Sequence, residues 1–192
     1  TQLMKKQIII SIGREYGSGG HEIAQKLAEK LNIDLYDRNL LDEISKIKSS
    51  NYEDLARYDE KPKSFFSHGV RGYYNSQEVN VAELQFALLK SKAADEDSFV
   101  VVGRCTDKIF DGIAPVVSVF ICADIKDRIA RIENIRHMSE KDAIKKIEKH
   151  DKRRASYHDY FCKTKWGNAS SYDVCLNSSL LGIDGTVEVL YN

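Results

Sequence analysis

Four short apolar runs, rich in β-branched residues, punctuate the chain at 7–12, 98–102, 116–121 and 172–176. The first three are nearly continuous rather than alternating, the pattern of strands covered on both faces of a parallel sheet. Asp34-Leu35-Tyr36 is a shorter fifth candidate. Between these runs the periodicity becomes helical. Over 21–31, Ile23, Ala24, Leu27, Ala28 and Leu31 fall on one face, with Gln25, Lys26, Glu29 and Lys30 opposite. Val81, Leu84, Leu88 and Leu89 repeat the pattern over 81–94, and 125–135 and 140–157 are longer and more charged. Strand–helix alternation predicts an α/β fold with a doubly wound sheet and right-handed crossovers. No internal repeat or low-complexity tract breaks it. One polar and aromatic stretch does, 51–77, with Lys61-Pro62-Lys63, Phe65-Phe66, Arg71-Gly72 and Tyr73-Tyr74. A loop of that length is usually disordered or functional. Its aromatics and Arg71 suit a flap over a substrate, and a surface excursion is the alternative.

Length and composition narrow the function classes. With 192 residues, the chain is sized for one domain with its own core. Lys plus Arg is 29 and Asp plus Glu is 29, so the basic excess of a dedicated nucleic-acid binder is missing. Content of 42% hydrophobic and 30% charged residues is that of a folded globular protein. The longest mainly apolar run, 114–123, contains Pro115 and Ser118 and is too short to span a membrane. Lys5 and Lys6 precede Ile8-Ile9-Ile10, but the run breaks at Ser11 and Gly13-Arg14-Glu15, too early for a signal peptide. The four cysteines lack C-x-x-C spacing and read as reduced, packed thiols of a cytoplasmic protein. The five histidines lack metal-ligand spacing. Ser18 sits in too short a glycine frame for a nucleophile elbow, and the turn misses the third glycine of the dinucleotide fingerprint.

The chemistry concentrates after the first strand. There Gly13-Arg14-Glu15-Tyr16-Gly17-Ser18-Gly19-Gly20-His21 leads directly into the amphipathic helix. Strand, glycine-rich turn and helix together make a phosphate cradle, because backbone N–H groups converge on an anion and the helix dipole adds to them. The common G-x-x-x-x-G-K-[ST] loop places Lys near the phosphates and Ser/Thr on Mg²⁺. Here Gly20 holds the Lys position, followed by His21 and Glu22. Arg14 is the substitute cation within the turn, with His21 assisting if protonated.

This turn, together with Val101-Val102-Gly103-Arg104-Cys105, Tyr36-Asp37, Asp151-Lys152-Arg153-Arg154-Ala155-Ser156-Tyr157 and Tyr172-Asp173-Val174-Cys175-Leu176-Asn177-Ser178-Ser179, resembles the cytidylate kinase-like proteins. These are relatives of cytidylate kinase among the P-loop nucleoside monophosphate kinases. The resemblance spans nearly the whole chain and keeps the order of its parts. It implies a parallel five-stranded P-loop NTPase-type sheet with a helical acceptor-binding insert at about 51–94 and a lid at about 131–166. It further implies ATP and Mg²⁺ as cofactors. By the resemblance, Arg104 holds the acceptor phosphate and Asp37 lies near the acceptor. Asp37 alternatively caps a helix over 38–47. Cys105 stands where the family motif has Asp, which removes a carboxylate facing the acceptor's sugar. Arg38 is placed to replace an acceptor-side Arg of the family, and Arg71 lies in the insert.

Phosphoryl transfer needs positioning, water exclusion and positive charge on the equatorial oxygens. In the lid, Arg154 matches the family's Asp-x-x-Arg pattern and is the phosphoryl-stabilising candidate, with Arg153 beside it and Arg128 and Arg131 as second choices. Lys145, Lys146, Lys149 and Lys152 read as a solvated face, and Trp166 as a packing anchor. The implied activity moves the ATP γ-phosphoryl to a small acceptor, a nucleoside monophosphate such as CMP or dCMP being the leading one. Gly17, Ser18, Gly19, Gly20 and His21 hold the donor phosphates. The alternatives are a kinase of another small metabolite and a nucleotide-binding regulatory module with little turnover.

Overall fold

A computed structural model of the chain describes residues 7–37, 76–103, 109–110, 112–162 and 164–192. Five parallel strands form one sheet in the order β2-β3-β1-β4-β5. They are β1 (Ile9–Arg14), β2 (Asp34–Tyr36), β3 (Phe99–Val102), β4 (Val116–Cys122) and β5 (Val174–Asn177). Between and after them run α1 (Gly20–Leu31), α2 (Ser76–Ala94), α3 (Ile125–Arg136), α4 (Glu140–Phe161) and α5 (Ser178–Tyr191), with a 3₁₀ turn at Ala169–Ser171. β1 is central, pairing Ile9 with Phe99 of β3 and with Val116 of β4. Parallel pairing brings every strand's C-terminal end to one edge, where ligands of open α/β sheets bind.

The continuous apolar strands are explained by two covered faces. Ile10, Ile12, Val100, Val102, Val119 and Ile121 pack against Ile23, Ala24 and Leu27 of α1 and Val187 of α5. Ile9, Phe99 and Val101 point the other way, against Leu88, Leu89 and Ala93 of α2 and against Phe110. A third cluster joins Ile132 of α3 to Ala143 and Ile147 of α4, with Tyr16 of the glycine turn packed on it. Ser139 begins α4 by accepting the Asp142 N–H.

Several expectations shift. α2 starts at Ser76, so the polar stretch read as 51–77 ends in a helix, and residues 51–75 lie outside the described residues. β4 is not covered throughout: Val117 is 39% exposed. Cys175 is exposed on edge strand β5 rather than packed, while Cys162 is buried and Cys122 half-buried, all three being free thiols. Helix α5 follows β5 with no counterpart in the sequence reading. Its apolar stripe is interrupted at Gly182, where φ is +67°. Trp166 packs edge-on against Phe120 at 5.3 Å, as a packing anchor should. No described helix is long and apolar enough to cross a membrane.

Candidate functional site

The chain leaves β1 at the C-terminal edge, passes through Glu15–Gly19 and enters α1 at Gly20. Gly17 and Gly19 have φ of +85° and +79°, where side chains are strained. Space excludes them as well. A Cβ on Gly17 would lie 2.9 Å from the Arg128 carbonyl oxygen, and one on Gly19 would lie 2.3 Å from Ile183 Cδ1. Buried Ser18 braces the turn from within, donating to the Glu15 carbonyl at 2.8 Å and accepting the Gly20 N–H at 3.3 Å. The Ser178 hydroxyl at the start of α5 reaches the Ser18 carbonyl at 2.6 Å. Gly19 caps α1 with no side-chain hydrogen bond. Gly19 has no side chain to cap with, and of the first N–H groups of α1 the Gly20 N–H is taken by the Ser18 hydroxyl; the start of a helix behind a glycine turn is a general anion-binding geometry.

The turn is fastened from α3 and α4. Arg128, only 6% exposed, donates Nε–H to the Tyr16 carbonyl at 2.9 Å, lies 3.3 Å from Glu15 Oε2 and pairs with Asp151 Oδ2. Asp151 Oδ1 accepts the Tyr16 N–H at 2.7 Å. Glu15 Oε2 in turn accepts the Ala123 N–H at 3.1 Å, tying the turn to the end of β4. The Tyr16 ring stacks on His150, centroids 4.1 Å apart and planes 6° from parallel. Burial, followed by the charges of Arg154, Lys146, Arg153 and Lys149, holds the His150 pKa below its usual value. Arg128 is therefore a buried fastener under the turn rather than an open phosphate ligand, which corrects its second-choice role. Asp151, Glu15, Tyr16 and His150 were not singled out from the sequence. The Asp-x-x-Arg spacing was the signal that placed Asp151 one helical turn from Arg154.

Three other arginines reach the turn's neighbourhood. Arg154 donates from Nη1 to the Arg14 carbonyl at 2.9 Å and lies over the Tyr16 ring at 5.5 Å. Arg131 lies against Gly19, where a Cβ would come within 3.0 Å of Nη1, and 3.7 Å from Glu22. The Arg14 stem crosses Gly20, and its Nη1 approaches Gly103 at the end of β3. Arg153 is exposed on α4, as are Lys145, Lys149 and Lys152. Across the edge, His21 Nε2 and Asp37 Oδ2 are 2.9 Å apart, which joins two sequence candidates from α1 and the end of β2. Arg38, Arg71, Arg104 and Cys105 lie outside the described residues, as does the stretch 38–47, for which a helix capped by Asp37 was the alternative reading.

The donor set suits a phosphate chain: backbone amides, glycines that permit close approach, and guanidinium groups from β1, α3 and α4. Among the described residues no three His, Cys, Asp or Glu side chains converge as a metal site. Mg²⁺ arriving on a nucleotide needs only one or two protein carboxylates beside the phosphates and water. Asp37 and Glu22 are the carboxylates that border the turn's partners, His21 and Arg131.

Comparison with known proteins matches residues 9–180 to the model of the cytidylate kinase-like family. The chain belongs to this family. Among solved structures it is similar to an uncharacterized protein from Eubacterium ventriosum, at 34% identity, TM-score 0.77 and 96% coverage of both chains. Shikimate kinase from Bacteroides thetaiotaomicron shares the fold at 14% identity and TM-score 0.51, covering 95% of both chains. The protein TT1252 from Thermus thermophilus does so at 15% identity and TM-score 0.52, covering 97% of both. The comparison with curated proteins found no match. A cytidylate kinase-like chain with the P-loop kinase fold supports a phosphotransferase acting on a small molecule, with ATP and Mg²⁺ the cofactors such kinases use in general.

Proposed function

We propose that this cytidylate kinase-like chain transfers the γ-phosphoryl group of Mg-ATP to a small acceptor, with a nucleoside monophosphate such as CMP or dCMP as the leading substrate. The observation that carries this reading is the glycine turn running directly into α1, with Arg14, Arg131 and Arg154 brought to it from three elements. Backbone amides over 17–21 and Arg14 bind the donor phosphates. Arg154, already docked on the Arg14 carbonyl, neutralises charge on the transferring group, and Arg153 is its exposed neighbour. Asp37, held by His21, positions the acceptor together with Arg104, Arg38 and Arg71. When bound, Mg²⁺ screens the phosphate charge, and the chain's own arginines supply orientation and bidentate hydrogen bonds. The segments at about 51–94 and 131–166 serve as acceptor insert and lid.

Cys105, in place of the family's Asp, favours a second reading in which the acceptor is another small metabolite. Gly20 in the lysine position favours a nucleotide-binding module with little turnover. One experiment separates the leading reading from the other two: purified protein with Mg-ATP and CMP, dCMP, UMP, AMP, GMP or no acceptor, followed by product chromatography. ADP plus a pyrimidine diphosphate supports the leading reading. ADP formed with none of them, while ATP binding is demonstrated separately, refutes it.

A further inference from the structure

The position that carries lysine in the common G-x-x-x-x-G-K-[ST] loop has no room for a side chain here. A Cβ on Gly20 would lie 2.5 Å from Arg14 Cβ and 2.9 Å from Arg14 Cγ. Counting back from Gly19, the first glycine of the same pattern falls on position 14, which is arginine. The chain therefore reads Arg-x-x-x-x-Gly-Gly where the pattern reads Gly-x-x-x-x-Gly-Lys. Positions 14 and 20 face each other so closely that both cannot carry a side chain.

We propose that Arg14 and Gly20 are a reciprocal exchange, in which the loop's phosphate-facing cation has moved from the first residue of α1 to the last residue of β1. This deepens the phosphotransferase reading and rests on it. The exchange also redirects the charge. The Arg14 stem runs over Gly20, and its guanidinium ends at Gly103, where a Cβ would lie 2.8 Å from Nη1. Two glycines from two elements thus border one arginine. Gly103 follows β3, the strand between β1 and β2 in the sheet. The guanidinium consequently lies on the side of the turn that faces Asp37 and His21, at the border between donor and acceptor. A planar fork there can hold oxygens of two phosphoryl groups at once, whereas a lysine ammonium is a point charge. Arg14 is then the residue that bridges donor and acceptor, and Gly20 and Gly103 are the positioning residues that let it cross.

The test is binding, read by isothermal titration calorimetry with Mg-ATP and with inorganic tripolyphosphate, and each variant's melting curve reports folding. Because the Arg14 Cβ alone crowds position 20, the reversal is Arg14→Gly with Gly20→Lys. Gly20→Ala and Arg14→Gly should each weaken tripolyphosphate binding by about 10- to 100-fold. Arg14→Gly/Gly20→Lys should recover most of that loss, since it restores the common pattern. Wild-type affinity in Gly20→Ala overturns the exchange, and so does a folded double variant no tighter than Arg14→Gly. If the double variant fails to fold, Arg14→Gly/Gly20→Ala decides: the alanine must cost nothing further once Arg14 is gone, and an added loss overturns the coupling. A wild type that binds neither probe refutes the phosphotransferase reading itself, and the exchange with it.

Discussion

Asp151 is the α4 residue that joins the glycine turn to buried Arg128, and its removal should be costly in a calculable way. It accepts the Tyr16 N–H at 2.7 Å and pairs with Arg128, whose side chain is 8% exposed. Asp151→Ala strips a charge from a buried partner and orphans a backbone donor. Breaking a buried pair by removing one member costs about 3–5 kcal/mol. Glu15, 3.3 Å from Arg128 Nη1, remains as partial compensation. The expected loss is therefore about 3 kcal/mol, which for a chain of this size lowers the melting temperature by roughly 6–12 °C. Asp151→Asn keeps an acceptor for Tyr16 and loses only the charge, so about 1–2 kcal/mol is expected. Urea denaturation of Asp151→Ala, Arg128→Met and the double variant completes a cycle. The two changes should be non-additive by about 1–3 kcal/mol, since a lost ion pair cannot be lost twice. An Asp151→Ala protein within about 0.5 kcal/mol of wild type would place the pair with ordinary surface contacts and refute the fastening argument.

Three further expectations follow from the same region. The folded-state pKa of His150 lies below its unfolded value, so the unfolded chain takes up the proton first; stability from this group is present above about pH 6.5 and lost as pH falls below it. His150→Phe keeps a ring on Tyr16 and removes that component, so urea midpoints measured from pH 7.5 to 5.5 should fall less steeply than in wild type; parallel curves would refute the reading. Phe120 is 4% exposed and touches both Trp166 and Tyr172, so Phe120→Ala should cost about 3–5 kcal/mol in urea unfolding, and a loss under about 1 kcal/mol would contradict its anchoring role. Arg154→Ala should lower turnover by about 100-fold or more while changing Mg-ATP affinity far less, and a wild-type rate would remove Arg154 from the transferring phosphoryl.

Much of this architecture was legible from periodicity. Continuous β-branched runs marked β1, β3 and β4, and the three-residue Asp34-Leu35-Tyr36 marked β2 from end to end. The 3.6-residue stripe marked α1 through Ile23, Ala24, Leu27 and Ala28, all of them buried. Helix α5 escaped because Gly182 and Gly185 interrupt a segment that is apolar on more than one side, and its support comes from α1 and the sheet rather than from its own pattern. Cys175 was misplaced because an apolar run does not say which strand ends at the edge of the sheet. That is a property of strand order.

At the site, the sequence marked the glycine turn, the missing lysine and Arg14 within the turn, since these are local features of strand, glycines and helix. It could not say that Arg128 is buried beneath the turn while Arg131 lies against Gly19, because both sit on one charged helix and only the packing of α3 on α4 separates their environments. Nor could it pair His21 with Asp37, sixteen residues apart. By itself the sequence determined most of the element types, the position of the glycine turn and the family, because backbone propensity, glycine conformation and apolar periodicity act over a few residues. Only the tertiary structure decided how the guanidinium groups are placed around the turn and what crowds position 20. Those outcomes depend on atoms from β1, β3, α3 and α4 competing for one small volume at the end of the sheet, and close packing lets just one arrangement fill it.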